Sequence, residues 1–434
     1  MSALAQYYLS KSHKVSGSDL ISSEILGLLK KAGVEIFIGP HLEKNLPKDA
    51  DLVVYSPAVR ADNPEIKRAK KLKIKIQSYP EALGELTQKH FTIAVSGTHG
   101  KSTTAAMLSL VLTEAGIDPT VIIGTKLEEF SIPKQNKLLK NAKGTNFKSG
   151  ESHYLIIEAD EWNASFLDYW PKIIVLTNIE KEHLDYYKDL DHILDTYKEY
   201  TGHLPGEGIL VANGDDKNVL KVALSISRQI KKFSLKQKEA RILRKKLKVP
   251  GEHNVYNALA VLTVARILRI SDDIIFKALS KYEGAWRRFE IKDGKINGKK
   301  ITIVSDYAHH PTEVKATLEA ARQKFPKKKI WCVFQPHQGQ RTFYLFEDFV
   351  KVLSSVPVDS LIVTDIYDVA GREKRKIGKQ VSSKKLVGAI NHSNVIFLSK
   401  RKVKGYLKKN LKGGEAVIIM GAGDIFEMAE EFST

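Results

Sequence analysis

Glycine, lysine and serine stand at a spacing suited to phosphate in Gly97-Thr98-His99-Gly100-Lys101-Ser102-Thr103-Thr104. Gly97 and Gly100 let backbone N–H groups approach phosphate oxygens, Lys101 can reach the β- and γ-phosphates of a nucleoside triphosphate, and the Ser102 hydroxyl can ligate Mg2+. The position five before Gly100 is Val95, so this is a short G-x-x-G-K-S form. A glycine-rich turn with a solvated lysine stays open as the alternative. Two other clusters offer chemistry nearby in the chain. Tyr154-Leu-Ile-Ile-Glu-Ala-Asp-Glu161 ends an apolar run in Glu158, Asp160 and Glu161, hard oxygen donors of the kind Mg2+ demands. Ile173-Ile-Val-Leu-Thr-Asn178 leads to Glu180, His183 and Asp185, where the histidine could serve a metal or a phosphate, or be structural.

Groups on separate segments need a scaffold that brings them to one edge, and the apolar runs supply it. Short apolar stretches at 34–38 and 52–55 alternate with a helical pattern over 22–32, which predicts a small parallel α/β domain ending near Ser78-Tyr79-Pro80. A second α/β region is expected with strands at 91–96, 121–123, 154–157, 173–177 and 208–211 and helices over 102–115 and 257–268. A third begins near Gly284, with strands at 301–305, 330–334, 360–364, 394–397 and 416–420. The expected fold is α/β, three domains in series over 1–85, 86–284 and 285–434, with mostly parallel sheets. In parallel sheets ligands bind beyond the carboxyl ends of the strands, where all three polar clusters fall.

Composition excludes other classes. The 434 residues, 43% hydrophobic, suffice for several cores, and no apolar run is long enough to span a membrane. The lone cysteine, Cys332, excludes an intramolecular disulfide and fits a reducing compartment, so a cytoplasmic location without membrane insertion is expected. A formal charge of +19 raises the possibility of nucleic acid, but the lysines are dispersed over 67–75, 231–248 and 400–409 without a recognisable module or interleaved aromatics. A solvated basic surface and no nucleic-acid partner are the expectation.

Taken in order, the motifs resemble the Mur ligases. Carrying the resemblance are Gly97–Thr104, Glu158-Ala-Asp-Glu161, Thr177-Asn-Ile to His183, Pro250-Gly-Glu-His-Asn-Val-Tyr-Asn-Ala-Leu-Ala260, Arg287-Arg-Phe-Glu290, Asp306-Tyr-Ala-His-His-Pro311, Phe334-Gln-Pro-His337 with Arg341-Thr342, and Gly421-Ala-Gly-Asp424. The resemblance implies Rossmann-like terminal domains around a central ATPase domain, with ATP and Mg2+ as cofactors. It also implies activation of the lactyl carboxylate of UDP-N-acetylmuramate as an acyl phosphate, which L-alanine then attacks, in peptidoglycan precursor synthesis. Residue by residue, it assigns Gly97, Thr98, His99, Gly100, Lys101, Ser102, Thr103, Asn254, Asn257, Arg288 and Asp306 to ATP, and Ser102, Glu158 and His183 to the metal. His309, His310, His337 and Arg341 fall to the amino acid and the reacting carboxylate, and Ser18, Asp19, Ser56 and Asn63 to the UDP part. From local position alone, Asn254 and Asn257 could instead be helix caps and Arg287 and Arg288 a boundary ion pair.

The chain departs from the family pattern in several places. The first strand and the glycine-rich loop that would cradle the UDP diphosphate do not precede Val15-Ser-Gly-Ser-Asp19; a start assigned at an internal methionine is the expected reason, and a crippled first domain the alternative. Gln338 stands where a second arginine is usual, Glu182 where aspartate is usual, and 231–250 is short of a β-ribbon. The readings to weigh are therefore the alanine-adding ligase as a monomer or weak dimer, a ligase recycling a murein tripeptide onto the same nucleotide sugar, and an impaired nucleotide-binding remnant. A nucleic-acid-stimulated NTPase would share only the phosphate loop.

Overall fold

A computed structural model of the chain describes residues 1–131, 143–369 and 380–433. Its contacts divide into two compact units, one of Met1–Ile179, Leu194–Ser234 and Ala260–Ala278, the other of Glu180–Ile193, Leu235–Leu259 and Leu279–Thr434.

The first unit opens with a helix, Ser2–Ser10, followed by two small parallel pairs, β1 (Ser16–Asp19) with β2 (Glu35–Ile38) and β3 (Leu52–Tyr55) with β4 (Lys75–Ser78). The pairs form separate sheets. Helices Glu24–Lys31 and Pro64–Lys71 make the crossovers that parallel strands require. A capping box between Ser78 and Glu81 then starts the helix Tyr79–Lys89, which feeds the central sheet.

That sheet has seven strands: β5 (Phe91–Ser96), β6 (Thr120–Ser131), β7 (Lys143–Lys148), β8 (Tyr154–Glu158), β9 (Ile173–Leu176), β10 (Ile209–Asn213) and β11 (Gln229–Phe233), ordered β11-β10-β9-β5-β8-β6-β7. Every neighbouring pair is parallel except β6 with β7. The apolar runs of β5, β8 and β9 are buried on both faces, as their lack of alternation requires. β5 is flanked by β8 and β9, so the phosphate loop, the carboxylates that end β8 and Asn178 after β9 emerge around one topological switch point. The first helix covers edge strand β7: Gln6, fully buried, accepts from Thr145 Oγ1 at 2.6 Å and donates to Asn146 Oδ1 at 3.1 Å.

In the second unit a six-stranded sheet, β12 (Glu290–Ile296), β13 (Lys299–Asp306), β14 (Ile330–Phe334), β15 (Ser360–Val363), β16 (Val395–Phe397) and β17 (Ala416–Met420), runs in the order β12-β13-β17-β14-β15-β16. Only β12 is antiparallel. Adjacent residues alternate between two cores: Val304, Cys332 and Ile418 pack on one face, Ile303, Val333 and Ile419 on the other. The carboxyl ends of β13, β14 and β17 deliver Asp306, Gln335 to His337 and Gly421 to Asp424.

Candidate functional site

Leaving β5, the chain turns at Gly97 (φ 128°) and Gly100 (φ 84°) into the helix Lys101–Glu114. Gly97 is obligatory, because a Cβ there would lie 2.1 Å from Thr177 Oγ1. The end of β9 holds the loop in shape. Thr98 N–H donates to Asn178 O at 2.9 Å, His99 N–H to Asn178 Oδ1 at 2.8 Å, and Asn178 Nδ2 and Thr177 Oγ1 both donate to His99 O, at 3.1 and 2.6 Å. Asn178 thus fixes the loop backbone, a role the motif alone did not assign to it.

The Lys101 ammonium donates to Gly97 O at 2.8 Å and to Glu161 Oε2 at 2.7 Å, with Asp160 Oδ1 at 3.7 Å. Burial by itself pulls its pKa down, but Glu161 and Asp160 outweigh that effect and hold the amine firmly cationic. Ser102 and Thr103 are buried in the first turn of the helix. At the end of the neighbouring strand, Glu158 accepts the Gly124 N–H at 2.7 Å, and a Cβ at 124 would sit 3.0 Å from its other oxygen. Ser102, in the first turn of the helix after β5, and Glu158, at the end of neighbouring β8, are hard oxygen donors of the kind that fits Mg2+. His183 lies in the second unit at φ 54°, its Nδ1 3.8 Å from Glu182, and imidazole is a softer donor than Mg2+ prefers.

The residues expected to meet the UDP part lie in the first unit. Ser18 Oγ donates to Glu65 Oε2 at 3.0 Å, Asp19 accepts from Ile21 N–H, and Ser56 Oγ accepts from Ala58 N–H. Asn63 Oδ1 caps the helix Pro64–Lys71, taking the Glu65 and Ile66 N–H groups at 2.9 and 3.4 Å. None of the four lines the cavity that the same unit holds, which is walled by Tyr55, Pro57, Ser78, Asn163, Ser165 and Asp168 among others and measures about 400 Å3. That is within the usual range for a small-molecule site. Asn163 and Ala164 reach its wall through left-handed backbone (φ 54° and 53°), a feature no sequence pattern signalled.

In the second unit, Arg341 and Glu182 form a buried pair, Nε to Oε1 2.9 Å with a second bond from Nη2, while Nη1 faces His337 Nδ1 and O at 3.0 Å. Burial opposes ionisation of Glu182, yet Arg341 overrides it and drives the carboxyl pKa well below the ordinary range. The guanidinium therefore already carries a carboxylate. Glu182 and Gln340 line a cavity of about 10 Å3, room for one water, and Glu182 Oε2 and Gln340 Nε2 have no hydrogen-bond partner among the described residues. Gln338 sits at φ 69°, pinned by its N–H to Tyr367 O at 2.8 Å and by Thr342 N–H and Oγ1 donating to its carbonyl.

The two adjacent histidines differ in what their nitrogens do. His310 caps the helix Pro311–Lys324 with Nδ1, which takes Thr312 N–H at 3.3 Å, leaving Nε2 to donate to Lys181 O at 3.2 Å. Both nitrogens are spent on structure. His309 places Nδ1 3.0 Å from Tyr307 O and 3.2 Å from Glu313 Oε2, so Nδ1 carries the proton and Nε2 holds a lone pair. Desolvation lowers its pKa to about 4, against the opposing pull of Glu313.

Asn254 donates to Pro250 O at 2.7 Å in the first turn of the helix Glu252–Ile267, with Asn257 3.5 Å from its Oδ1. The Asp306 carboxylate is committed to backbone, taking Phe289 N–H and Ala308 N–H at 2.7 Å each and Thr317 Oγ1 at 3.2 Å. Gln335, read from sequence only as part of a motif, clamps the β17 loop: its Nε2 donates to Asp424 Oδ1 at 2.9 Å and its Oε1 accepts Ile425 N–H.

Comparison with known proteins finds the same family along the chain. The family model of the Mur ligase middle domain matches residues 95–265, that described as the Mur ligase family catalytic domain residues 1–91, and that of the Mur ligase glutamate ligase domain residues 287–423. A UDP-N-acetylmuramate–L-alanine ligase of Clostridium acetobutylicum is 40% identical over 458 residues, covering 100% of this chain and 94% of the relative. One from Acetivibrio thermocellus is 39% identical, covering 100% and 93%. The crystal structure of UDP-N-acetylmuramate-alanine ligase from Thermotoga maritima superposes with a TM-score of 0.76 at 26% identity, covering 100% of this chain and 95% of that one. A murein peptide ligase from Psychrobacter arcticus shares the fold with a TM-score of 0.70 at 24% identity, covering 99% and 95%.

Proposed function

The chain belongs to the Mur ligase family of ATP-dependent, amide-forming ligases, and from that membership we propose that it joins L-alanine to the lactyl carboxylate of UDP-N-acetylmuramate in peptidoglycan precursor synthesis. The observation that carries this reading is the 40% identity, across the whole chain, to a protein of that description. The protein works in the cytoplasm as a monomer or weak dimer. Among the described residues no helix is long and apolar enough to cross a membrane.

In this mechanism the loop N–H groups and Lys101 neutralise the β- and γ-phosphates, with Lys101 exchanging Glu161 for phosphate. Ser102 and Glu158 would hold Mg2+, with His183 the further ligand that the family pattern implies, and the ion would supply charge neutralisation for the transferring group. Asn254, Asn257 and Arg288 meet the nucleotide, and Asp306 shapes the turn that presents Arg288. A lactyl carboxylate oxygen attacks the γ-phosphorus, the bond to ADP breaks, and the poor electrophile becomes an acyl phosphate. The alanine ammonium then loses a proton, its amine attacks the carbonyl, and inorganic phosphate departs as the amide forms. His309 is the better base of the pair, since its Nε2 lone pair is available where both nitrogens of His310 are engaged. The alanine carboxylate binds at the Arg341 Nη1 end, exchanging for the His337 contacts that this nitrogen now makes. Ser18, Asp19, Ser56 and Asn63 line the UDP end.

The test is phosphate release by purified protein with ATP, Mg2+ and UDP-N-acetylmuramate across a panel of amino acids and a murein tripeptide. Release with L-alanine is expected. Turnover with the tripeptide alone would transfer the protein to the recycling activity, and no release with any acceptor would overturn the ligase reading.

A further inference from the structure

Arg287 is a buried cation without a carboxylate partner among the described residues. Its side chain is 4% exposed, Nη2 donates to Gly421 O and, at 3.3 Å, to Gly423 O, and Nε has no hydrogen-bond partner there. Three rings surround the guanidinium, Phe426 at 4.5 Å, Tyr307 at 4.7 Å and Trp286 at 5.4 Å. Aromatic faces stabilise a desolvated guanidinium. Burial lowers its pKa only to about 10, so it remains charged at neutral pH. A buried charge is a poor device for stability alone, because a well-packed apolar residue commonly does as well.

Its location gives it another use. Arg288 N–H closes a turn onto Ala285 O at 2.9 Å, and the backbone is left-handed at both Arg287 (φ 56°) and Phe289 (φ 53°). Non-glycine residues persist in that region only where their surroundings over-determine them. Three groups do so here. The Asp306 carboxylate holds Phe289 N–H, while Tyr307 N–H donates to Arg287 O at 2.8 Å and the Arg287 side chain grips the loop after β17. Arg288 emerges from this knot over the same Tyr307 ring, at 5.0 Å.

We infer that Arg287 is a positioning residue for nucleotide binding: it staples the 285–289 turn to the 421–424 loop and so fixes where the Arg288 guanidinium is presented. The inference rests on the reading that Arg288 meets ATP. Lysine cannot replace it, because a compact, strongly hydrated ammonium lacks the planar face that lies against the three rings while Nη2 reaches the carbonyls.

Steady-state kinetics of R287K, R287M, F426L and R288K, with thermal unfolding of each, test this. R287K and R287M are expected to raise KM for ATP by roughly 10- to 100-fold, the usual result of misplacing a contact group by about an ångström, with KM for L-alanine changed by less than about 2-fold. F426L, which removes one wall and leaves the carbonyl bonds, should shift KM for ATP the same way by about 3-fold. An unchanged KM for ATP in R287K and F426L, alongside a raised value in R288K, would overturn the positioning role alone. An unchanged value in R288K would instead remove the assignment of Arg288 to ATP. Should the Arg287 variants fail to fold, F426L decides: an ATP-specific rise supports the staple, and wild-type kinetics reject it.

Discussion

At the residue scale, hydrogen bonding separates side chains that sequence treats alike. His309 and His310 are neighbours of one type, and only the direction of their lone pairs distinguishes a proton acceptor from a helix cap. Asn63 and Asp306 likewise spend their oxygens on backbone N–H groups. Sequence could nominate these positions from residue type and motif, but the partner atoms lie on other strands or in the next turn and leave no local trace. For His309 the consequence is measurable. Its folded pKa of about 4 lies below the ordinary 6.5, so the unfolded chain binds the proton more readily. The stability it confers is complete above pH 6.5 and lost as the pH falls through 4, by up to about 3 kcal/mol. H309Q should flatten the unfolding free energy between pH 6.5 and 4 and lower kcat by about 10^2-fold or more at neutral pH. Chemical denaturation across that range checks the first; an unchanged kcat would return the base to another group.

At the element scale, strands with continuous apolar runs were readable nearly to the residue. β3, β14 and β17 fall at 52–55, 330–334 and 416–420 as their sequences predict. Antiparallel β7 and β12 were not foreseen, since Lys143–Lys148 and Glu290–Ile296 are polar edge strands whose identity comes from pairing with β6 and β13. Nor was the extension of β6 to Ser131, eight residues past the expected Ile123, or the irregular Trp162–Asp168 turn that walls the larger cavity. The phosphate loop depends on an element it does not belong to, because the end of β9 supplies Asn178. N178A removes two side-chain hydrogen bonds to His99 and should weaken ATP binding by about 1–3 kcal/mol, an increase in Kd of some 5- to 150-fold, while Tm moves by only a few degrees. Calorimetric titration with a non-hydrolysable ATP analogue reads this directly, and wild-type affinity would mean that the turn is preorganised without the clamp.

At the scale of the whole molecule, chain order and compact units do not coincide. Glu180–Ile193 follows β9 in sequence but packs with the second unit, where Glu182 meets Arg341 across 159 positions. No periodicity reports such a pairing. The dispersed charge acts at this scale as well: +19 on the chain sets a positive field toward anionic substrates. Raising ionic strength from about 0.05 to 0.5 M should therefore lower kcat/KM for UDP-N-acetylmuramate by several-fold while kcat stays nearly level, as screening shortens the reach of exposed lysines. A flat kcat/KM would show that the basic surface takes no part in substrate capture.

The contact between Lys101 and Glu161 bears on discrimination among anions. A phosphate loop whose lysine lies bare would attract whatever small anion is abundant. Here the cation has a resident competitor fixed in the same fold, and a visitor must outbid it through several simultaneous contacts. On the proposed reading a triphosphate would do so through several loop N–H groups at once, where free orthophosphate or sulfate would make fewer contacts. The acidic cluster at the end of β8 would then set how many contacts an anion must make before the Lys101 ammonium leaves Glu161 for it.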